Sequence, residues 1–305
     1  MSQTHILCPG QGAQHVGMGR DYADAHAAAK AVFDEVDSIV GSELSRLCFE
    51  GPEEQLNQTD VAQPAIYTTS VACHAAAKSA GKLPESVASY DGLSLGEYTA
   101  LHLAGCFDFA TGLKLVQARG RYMQEAAVSV PSGMVSLIGA TEKQADELCE
   151  QAAHGHVLVP ANYNCPGQIV CSGAQPAVER LAEIANDHGL RAVVLKVAGA
   201  FHSPLMQPAA DRLAEDLEQV EMNAPATPVW SNVTAQPHGD DVAEIKKLLI
   251  RQITEPVRWQ QTMEALVGDD SSFVELAPGR VLAGLLKKVD RRAAMTSLNT
   301  ADALA

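Results

Sequence analysis

Short, mostly apolar segments that end at Gly or Pro predict the buried strands of this chain. The segment at residues 5–8 stops at Pro9-Gly10, and the segment at residues 86–91 stops at Gly92. A third segment, at residues 272–276, is followed by Ala-Pro-Gly-Arg. Short apolar runs bounded by such breakers are typical of strands that are covered on both faces.

Ala-rich segments with helical spacing lie between these strands. Residues 21–40 and 63–80 are predicted helices, and Pro64 is expected in the first turn of the second, where proline is tolerated. Residues 95–103 and 110–125 are two further predicted helices. Alternation of strand and helix predicts an α/β fold with a parallel sheet.

The middle of the chain follows a different order. The predicted elements there are a strand, a helix, two strands, a helix and a strand, over residues 134–138, 142–151, 157–162, 168–172, 175–187 and 192–197. This β-α-β-β-α-β order is typical of a ferredoxin-like unit. We therefore predict a small subdomain at residues 129–197, inserted into a core formed by residues 1–128 and 198–305. Helices return from residue 209, and the tail at residues 300–305 is expected to fray.

The length and charge of the chain narrow its function. A chain of 305 residues suits one large domain with an inserted lobe, or two modest domains. The formal net charge of −15 argues against a nucleic-acid partner, because phosphate binding needs clustered Lys and Arg. The first residues form no apolar stretch long enough for export or for crossing a membrane, so we expect a cytoplasmic protein without membrane contact.

The seven cysteines are odd in number, scattered, and never spaced as C-x-x-C. This spacing indicates neither a disulfide framework nor a zinc site. We expect them to be small buried apolar residues.

The pentapeptide Gly92-Leu93-Ser94-Leu95-Gly96 has the G-x-S-x-G pattern between a predicted strand and a predicted helix. This is the setting of a nucleophile elbow, in which glycines allow a sharp turn that exposes the serine hydroxyl. The alternative is an ordinary Gly-rich turn from strand to helix.

Two other segments add candidate chemistry. The loop Cys8-Pro9-Gly10-Gln11-Gly12-Ala13-Gln14 follows the first strand, and its backbone amides could face a developing oxyanion. The alternative is a plain Gly/Pro turn. His202 lies in Gly-Ala-Phe-His-Ser-Pro-Leu-Met, directly after the ferredoxin-like unit. A single His is more often a surface residue or a hydrogen-bonded core residue than a catalytic one.

Five segments together resemble the malonyl-CoA:acyl-carrier-protein transacylases. They are PGQGAQ, GLSLGEYTAL, RGRYMQ, ANYNCPGQ and AFHSPLM, in the order and at the spacing of that family. The resemblance extends from about residue 6 to residue 299. It implies a hydrolase-like α/β core, an inserted ferredoxin-like α+β subdomain, and an active site between them.

The resemblance also implies roles for individual residues. Ser94 matches the family's nucleophile, and His202 matches the general base. A Gln carbonyl orients the base in place of a carboxylate, and Gln252 matches that position. Backbone amides of Gln11 and Leu95 match the oxyanion hole.

The resemblance further implies a binding site for the malonyl carboxylate. Arg119 matches the guanidinium that binds it, with a surface Arg as the alternative. Phe201 matches the residue that crowds C2 of malonyl. Other positions match residues of the family's site, although the polar ones could equally serve as caps or in loops: Gln63, Met123, Asn162 and Gln168.

One residue departs from the family's common pattern. Many members have His before the nucleophile, whereas this chain has Leu93. That position is not the general base, so Leu93 is compatible with catalysis. It nevertheless removes a hydrogen-bonding partner near the site.

The function implied is transfer of malonyl from malonyl-CoA to an acyl carrier protein, by a ping-pong reaction through a serine ester. Neither a metal nor a cofactor is expected, because a hydroxyl, an imidazole and fixed dipoles suffice. Fatty-acid and polyketide assembly both stay open as the pathway. The alternatives are an acyl-thioester hydrolase on the same scaffold and an inactive carrier-docking module.

An acidic carrier would need a local basic surface on this acidic protein. The candidate residues are Arg191, Lys196, Arg280, Lys287, Lys288, Arg291 and Arg292. The alternative for this set is a solvated helix face. We expect a monomer that meets its carrier transiently.

Overall fold

The computed structural model describes residues 3–305 and contains two four-stranded sheets. Residues 1 and 2, at which the predicted core range begins, lie outside the described residues. The strands are β1 Gln3–Cys8, β2 Ser89–Gly92, β3 Ser132–Ile138, β4 Leu158–Cys165, β5 Gln168–Ala174, β6 Arg191–Val194, β7 Ser271–Leu276 and β8 Ala294–Leu298.

The first sheet is parallel and has the strand order β2-β1-β7-β8. Its central strand β1 is covered on both faces, since Ile6 and Leu7 point to opposite faces and are both 0% exposed. Burial on both faces explains why this strand is an unbroken apolar run. The edge strand β8 was not predicted, because its residues are mostly half-buried or exposed and form no such run.

The helices surround this sheet or cover one face of the second one. They are α1 Arg20–Ala25, α2 Ala27–Val40, α3 Leu44–Glu50, α4 Glu53–Leu56, α5 Thr59–Ser79, α6 Leu95–Leu103, α7 Phe109–Ser129, α8 Glu142–Ala153, α9 Gln175–Asp187, α10 Gln207–Gln219, α11 Val242–Arg251, α12 Trp259–Leu266 and α13 Val281–Val289.

Three local predictions were wrong. The helix predicted over residues 21–40 is interrupted at His26, whose extended backbone (φ −129°, ψ 115°) separates α1 from α2. Pro64 is the sixth residue of α5, beyond the first turn, because the helix begins at Thr59. The tail does not fray: Ala301–Leu304 forms a 3-10 turn, and Leu304 is 4% exposed against the core.

The second sheet is antiparallel and has the strand order β4-β5-β3-β6. In chain order this is the 2-3-1-4 arrangement of a ferredoxin-like unit, with α8 and α9 packed on the sheet. The predicted fold class is therefore confirmed. We call β3 to β6 with α8 and α9 the small lobe, and the rest of the described chain the core.

All seven cysteines are free, and all seven are buried, as predicted for small apolar residues. Burial raises the pKa of the Cys48 thiol to about 12 and that of Cys73 to about 11. Among residues 3–305, no helix combines the length and the apolar character that crossing a membrane requires.

Candidate active site

Ser94 lies at a sharp turn between β2 and α6. Its backbone has φ 53° and ψ −104°, in a region that non-glycine residues rarely occupy. A Cβ on Gly92 would lie 1.8 Å from the carbonyl carbon of Gly96, so only glycine fits there. The turn therefore needs the glycines of the G-x-S-x-G pattern.

The N-terminal loop packs directly on this turn. A Cβ on Gly96 would lie 2.1 Å from the carbonyl oxygen of Cys8, and one on Gly10 would lie 2.4 Å from that of Leu93. The backbone N–H of Leu93 donates to Cys8 O at 3.2 Å. Glycine at both positions thus brings the loop after β1 against the serine turn.

The Ser94 hydroxyl meets an imidazole. Ser94 Oγ lies 2.8 Å from His202 Nε2, and His202 Nδ1 lies 2.7 Å from the backbone carbonyl oxygen of Gln252. Because a carbonyl only accepts, Nδ1 carries the proton and Nε2 is free to accept from the hydroxyl. The backbone carbonyl thus fixes the tautomer that can act as a base.

The position of His202 controls its protonation. Burial and the nearby Arg119 guanidinium lower its pKa from 6.5 to about 4, while the bond to Gln252 opposes this shift. His202 is 4% exposed and has φ 56°, so it also lies in the left-handed region. The imidazole is therefore neutral at pH 7.

Gln11 and Leu95 are the residues predicted to supply the backbone N–H groups of an oxyanion hole. Leu95 is the first residue of α6, so its N–H has no partner within the helix and lies at the positive end of the helix dipole. Gln11 follows β1 in the loop packed on the turn. Both residues line the same cavity as Ser94.

Arg119, on α7, is 1% exposed, which excludes the alternative of a surface arginine. Its Nη2 donates to Ser94 Oγ and to Gln252 Oε1, both at 3.0 Å, and its Nη1 donates to Gln63 Oε1 at 2.6 Å. The guanidinium carbon lies 5.3 Å from the centre of the Tyr98 ring, within cation–π range. The guanidinium is thus held beside the hydroxyl by neutral groups.

The charge of Arg119 has no carboxylate in direct contact. Burial lowers its pKa from the ordinary value, while Tyr98 and Glu97 raise it. Among residues 3–305, no Asp or Glu forms an ion pair with it, and its Nε is buried without a hydrogen-bond partner. A guanidinium stays charged in proteins, so this site favours an anionic ligand.

The serine lies in a cavity of about 770 Å³ between the core and the small lobe. Most of the predicted binding residues line this cavity: Arg119, Met123, Asn162, Gln168 and Phe201. Gln63 is fully buried behind them and reaches the site through Arg119. Leu93 lines the cavity together with Val281 and Leu285, which gives the region beside the serine an apolar side.

The predicted basic residues differ in their relation to the cavity. Lys196 lines the cavity. Arg191, Arg280, Lys287, Lys288, Arg291 and Arg292 are exposed. Arg280 donates to Asn299 Oδ1 at 2.9 Å, and Lys287 and Lys288 lie in the last turn of α13.

Sequence reasoning missed three buried polar residues behind the serine: Glu97, Asn232 and His238. The ring of His238 contacts the Glu97 carboxylate at 2.7 Å, and the Asn232 amide oxygen accepts from Ser94 N at 2.5 Å. The available signal was Glu97 in the third position of a buried helix. Among residues 3–305, no group of three His, Cys, Asp or Glu side chains could hold a metal ion.

A serine hydroxyl paired with a histidine, at a glycine-bounded turn on a parallel α/β core, defines an enzyme that forms acyl-serine esters. Comparison with protein families agrees with this class. The family described as "Acyl transferase domain" matches residues 6–301. The chain therefore belongs to this family.

The curated relatives and solved structures make the family more specific. The malonyl CoA-acyl carrier protein transacylase of Bacillus subtilis strain 168 is 41% identical over 298 residues, which cover 96% of this chain and 92% of that protein. The structure of the transacylase of that name from Coxiella burnetii has a TM-score of 0.95 at 37% identity, over 100% of this chain and 96% of that one. These similarities confirm the family resemblance seen in the sequence.

A third neighbour was solved with its carrier. The structure contains a type II PKS acyl-carrier protein in complex with its malonyl-transacylase. The transacylase is 37% identical to this protein with a TM-score of 0.94, over 99% of this chain and 98% of that one.

Proposed function

We propose that this protein transfers a malonyl group from malonyl-CoA to the phosphopantetheine thiol of an acyl carrier protein, through an ester on Ser94. The observation that carries the proposal is the buried Arg119 guanidinium, which lies 3.0 Å from Ser94 Oγ and forms no ion pair with a carboxylate in the described part of the chain. A malonyl carboxylate would supply that partner while its thioester carbon lies beside the hydroxyl.

In the first half-reaction, Ser94 Oγ attacks the thioester carbon of malonyl-CoA as His202 Nε2 takes the hydroxyl proton. A C–O bond forms, and the oxyanion accepts from the N–H groups of Leu95 and Gln11. One such donor is typically worth about 3 to 4 kcal/mol in the transition state. The C–S bond then breaks, and CoA leaves as a thiol with the proton from His202.

In the second half-reaction, the carrier's thiol gives its proton to His202 as its sulfur attacks the ester carbon. A C–S bond forms, the C–O bond to Ser94 breaks, and the hydroxyl recovers the proton. These steps use groups of the protein and the two substrates only.

The remaining cavity residues would select the acyl group. Phe201 is 6% exposed and lines the cavity beside His202, a position suited to crowding C2 of malonyl against a methyl branch. Met123, Asn162 and Gln168 would complete the walls of the pocket, and Gln63 would fix Arg119.

A direct test is mass spectrometry of the intact protein after brief exposure to malonyl-CoA. We expect a malonyl adduct that maps to Ser94 and that disappears when holo carrier is added. Ser94→Ala is the control. An adduct elsewhere, or none at all, would contradict the proposal. Release of free malonate in place of malonyl-carrier would instead indicate the hydrolase.

We also propose that the exposed basic residues Arg191, Lys196, Arg280, Lys287 and Lys288 receive the carrier. The solved complex of a similar transacylase with its carrier protein supports a carrier as partner. Lys196 lines the cavity, and Arg280 and Lys287 are close in sequence to Val281 and Leu285, which also line it. This protein has a net charge of −15, so an acidic carrier needs a local cationic region.

Charge reversal tests this surface. Lys287→Glu with Lys288→Glu should raise the KM for carrier about 2- to 10-fold at low salt, since exposed charges contribute up to about 1 kcal/mol each. The effect should fade as salt screens it. Lys30→Glu on α2 is the control. An unchanged carrier KM in the double variant, with no salt dependence, would contradict the proposal that this surface binds the carrier.

A further inference from the structure

Glu97 is a buried carboxylate that the proposed transfer steps do not use. It lies three residues after Ser94, in the first turn of α6, and is 0% exposed. Among the residues from 3 to 305, no Lys or Arg forms an ion pair with it. A charged group so deeply buried is retained only when hydrogen bonds compensate its lost hydration.

The two oxygens of Glu97 have different partners. Oε1 accepts from His238 Nε2 at 2.7 Å, and His238 is itself 7% exposed. Oε2 accepts from Gln252 Nε2 at 2.6 Å and from the backbone N–H of Asn232 at 3.1 Å. Oε2 therefore binds both Asn232 and Gln252, two residues that lie far from Glu97 in the sequence.

Those two residues hold both backbone polar groups of the nucleophile. Asn232 Oδ1 accepts from Ser94 N at 2.5 Å, and Gln252 Nε2 donates to Ser94 O at 3.0 Å. Asn232 Nδ2 also donates to the carbonyl of Gly92 at 2.7 Å, so the same amide bridges the start of the turn. The strained backbone at Ser94 is thus held on both sides by side chains of two residues that also donate to Glu97, Asn232 through its backbone N–H and Gln252 through its side-chain amide.

We propose that Glu97 is a positioning residue for Ser94 that acts through Asn232 and Gln252. A residue at φ 53° and ψ −104° persists only where its surroundings determine it from several directions. Glu97 accepts hydrogen bonds from both residues that hold the Ser94 backbone, Asn232 and Gln252. Without it, the turn can relax and move Ser94 Oγ away from His202.

The same anchor sets the orientation of the Gln252 amide. Because Nε2 is committed to Glu97 and to Ser94 O, Oε1 must face the other way, where it accepts from Arg119 Nη2. The Glu97 charge therefore reaches the Arg119 guanidinium through a single amide group. The Glu97 carboxylate thus lies behind the Arg119 guanidinium, which forms no ion pair among residues 3–305.

This inference rests on the proposed function only in taking Ser94 as the nucleophile, so its test avoids malonyl-CoA. A fluorophosphonate modifies an activated serine: a P–O bond to Oγ forms, the P–F bond breaks, and fluoride leaves with the hydroxyl proton. The rate of Ser94 modification then reports on the geometry of the turn whether or not malonyl is the acyl group.

Two variants of Glu97 grade the effect. Glu97→Gln keeps an oxygen that can accept from Asn232 and Gln252 but removes the charge, and it should label about 3- to 10-fold more slowly. Glu97→Ala removes both acceptors and should label about 10- to 100-fold more slowly, as expected for lost hydrogen bonds to a charged group. Recovery in the amide variant distinguishes positioning from a general loss of stability.

Asp37→Asn is a matched control. Asp37 on α2 also accepts two hydrogen bonds, from Ser45 N at 2.8 Å and Ser45 Oγ at 2.6 Å, but it does not line the cavity. It should label at the wild-type rate even if its unfolding temperature falls. A double-mutant cycle adds a second criterion: Glu97→Gln should slow labelling by a smaller factor in the Asn232→Ala background than in the wild-type protein, because only the path through Gln252 is left.

Labelling of folded Glu97→Ala as fast as Asp37→Asn would overturn the proposal. If Glu97→Ala does not fold, wild-type labelling by Glu97→Gln, or full additivity with Asn232→Ala, would overturn it equally. If the wild-type protein labels at Ser94 but forms no malonyl adduct, the transfer function fails while this inference is still decided by the same rates.

Discussion

The cavity has one wall from the core and one from the small lobe, and the two walls differ in what is buried behind them. Behind the core wall lie buried charged or titratable side chains, among them Glu97, Arg119 and His202. In the small lobe the buried polar residues are Ser136, Asn162 and Ser172, and the interior is otherwise apolar.

The candidate reactive side chains therefore belong to the core, whereas the small lobe mainly shapes the cavity. In the core, hydrogen bonds connect Ser94, His202 and Arg119 with their buried neighbours, so moving one group leaves another buried group unpaired. In the small lobe, Asn162 and Gln168 line the cavity, and the interior behind them is mostly apolar. We therefore expect large effects from core substitutions and small ones from the lobe.

The largest expected effect is at His202. His202→Gln removes the proposed base that accepts the Ser94 proton, and it should lower the acylation rate constant about 10²- to 10⁴-fold. Rapid-quench measurement of the malonyl adduct gives this rate. His238→Gln, at another buried imidazole of the core, is the comparison. An equal loss in both would show that the network as a whole, and not the base, limits acylation.

The next effect concerns the choice of acyl group. Arg119→Ala should reduce the preference for malonyl over acetyl in kcat/KM by about 10- to 150-fold, or about 1.5 to 3 kcal/mol. Arg121→Ala is the control, since Arg121 is exposed and lies on another side of α7. A rise in malonyl preference in Arg119→Ala would be incompatible with the role of Arg119.

The pH dependence of acylation is the third expectation. His202 must be neutral to accept a proton, and its pKa is about 4, so the rate should be flat between pH 5 and 7. Below about pH 4 it should fall tenfold for each unit. A stopped-flow pH series measures this acid limb. In Arg119→Ala the limb should move to higher pH, because the cation that disfavours imidazolium is gone. A limb near pH 6.5 in the wild-type protein would show an exposed imidazole.

The smallest effects belong to the lobe. Asn162→Ala and Gln168→Ala should each change the KM for malonyl-CoA by only about 2- to 5-fold, the cost of one neutral hydrogen bond, and leave kcat nearly unchanged. Steady-state kinetics with both substrates separates the two parameters. A loss as large as that in His202→Gln would show that the lobe takes part in the chemistry.

Local patterns in the sequence were enough to predict several elements of the fold. The strand at residues 5–8, helix α6 and the β-α-β-β-α-β order follow from local patterns, and the structure contains all of them. Glycine spacing predicted the turn at Ser94, because a close approach leaves no alternative residue. The family resemblance then supplied Arg119 and Gln252, which no local pattern indicates.

What sequence could not show is how distant polar residues meet. Asn232 and His238 lie in a loop without periodicity, and Glu97 resembles any acidic residue in a first helical turn. Only the fold brings Asn232 into contact with Ser94 and His238 into contact with Glu97. Strand β8 was missed because its half-buried and exposed residues form no apolar run, and the tail was missed because Leu304 packs on core residues far away in the chain.

The distribution of free cysteines gives the protein internal reporters of its own opening. Three of the buried thiols lie in the small lobe, Cys149, Cys165 and Cys171, and the core holds the other four. A thiol reagent reaches a buried cysteine only after its surroundings unfold locally or globally. The order in which the two groups become alkylated in native buffer would therefore reveal whether the lobe opens as a separate foldon or only together with the core.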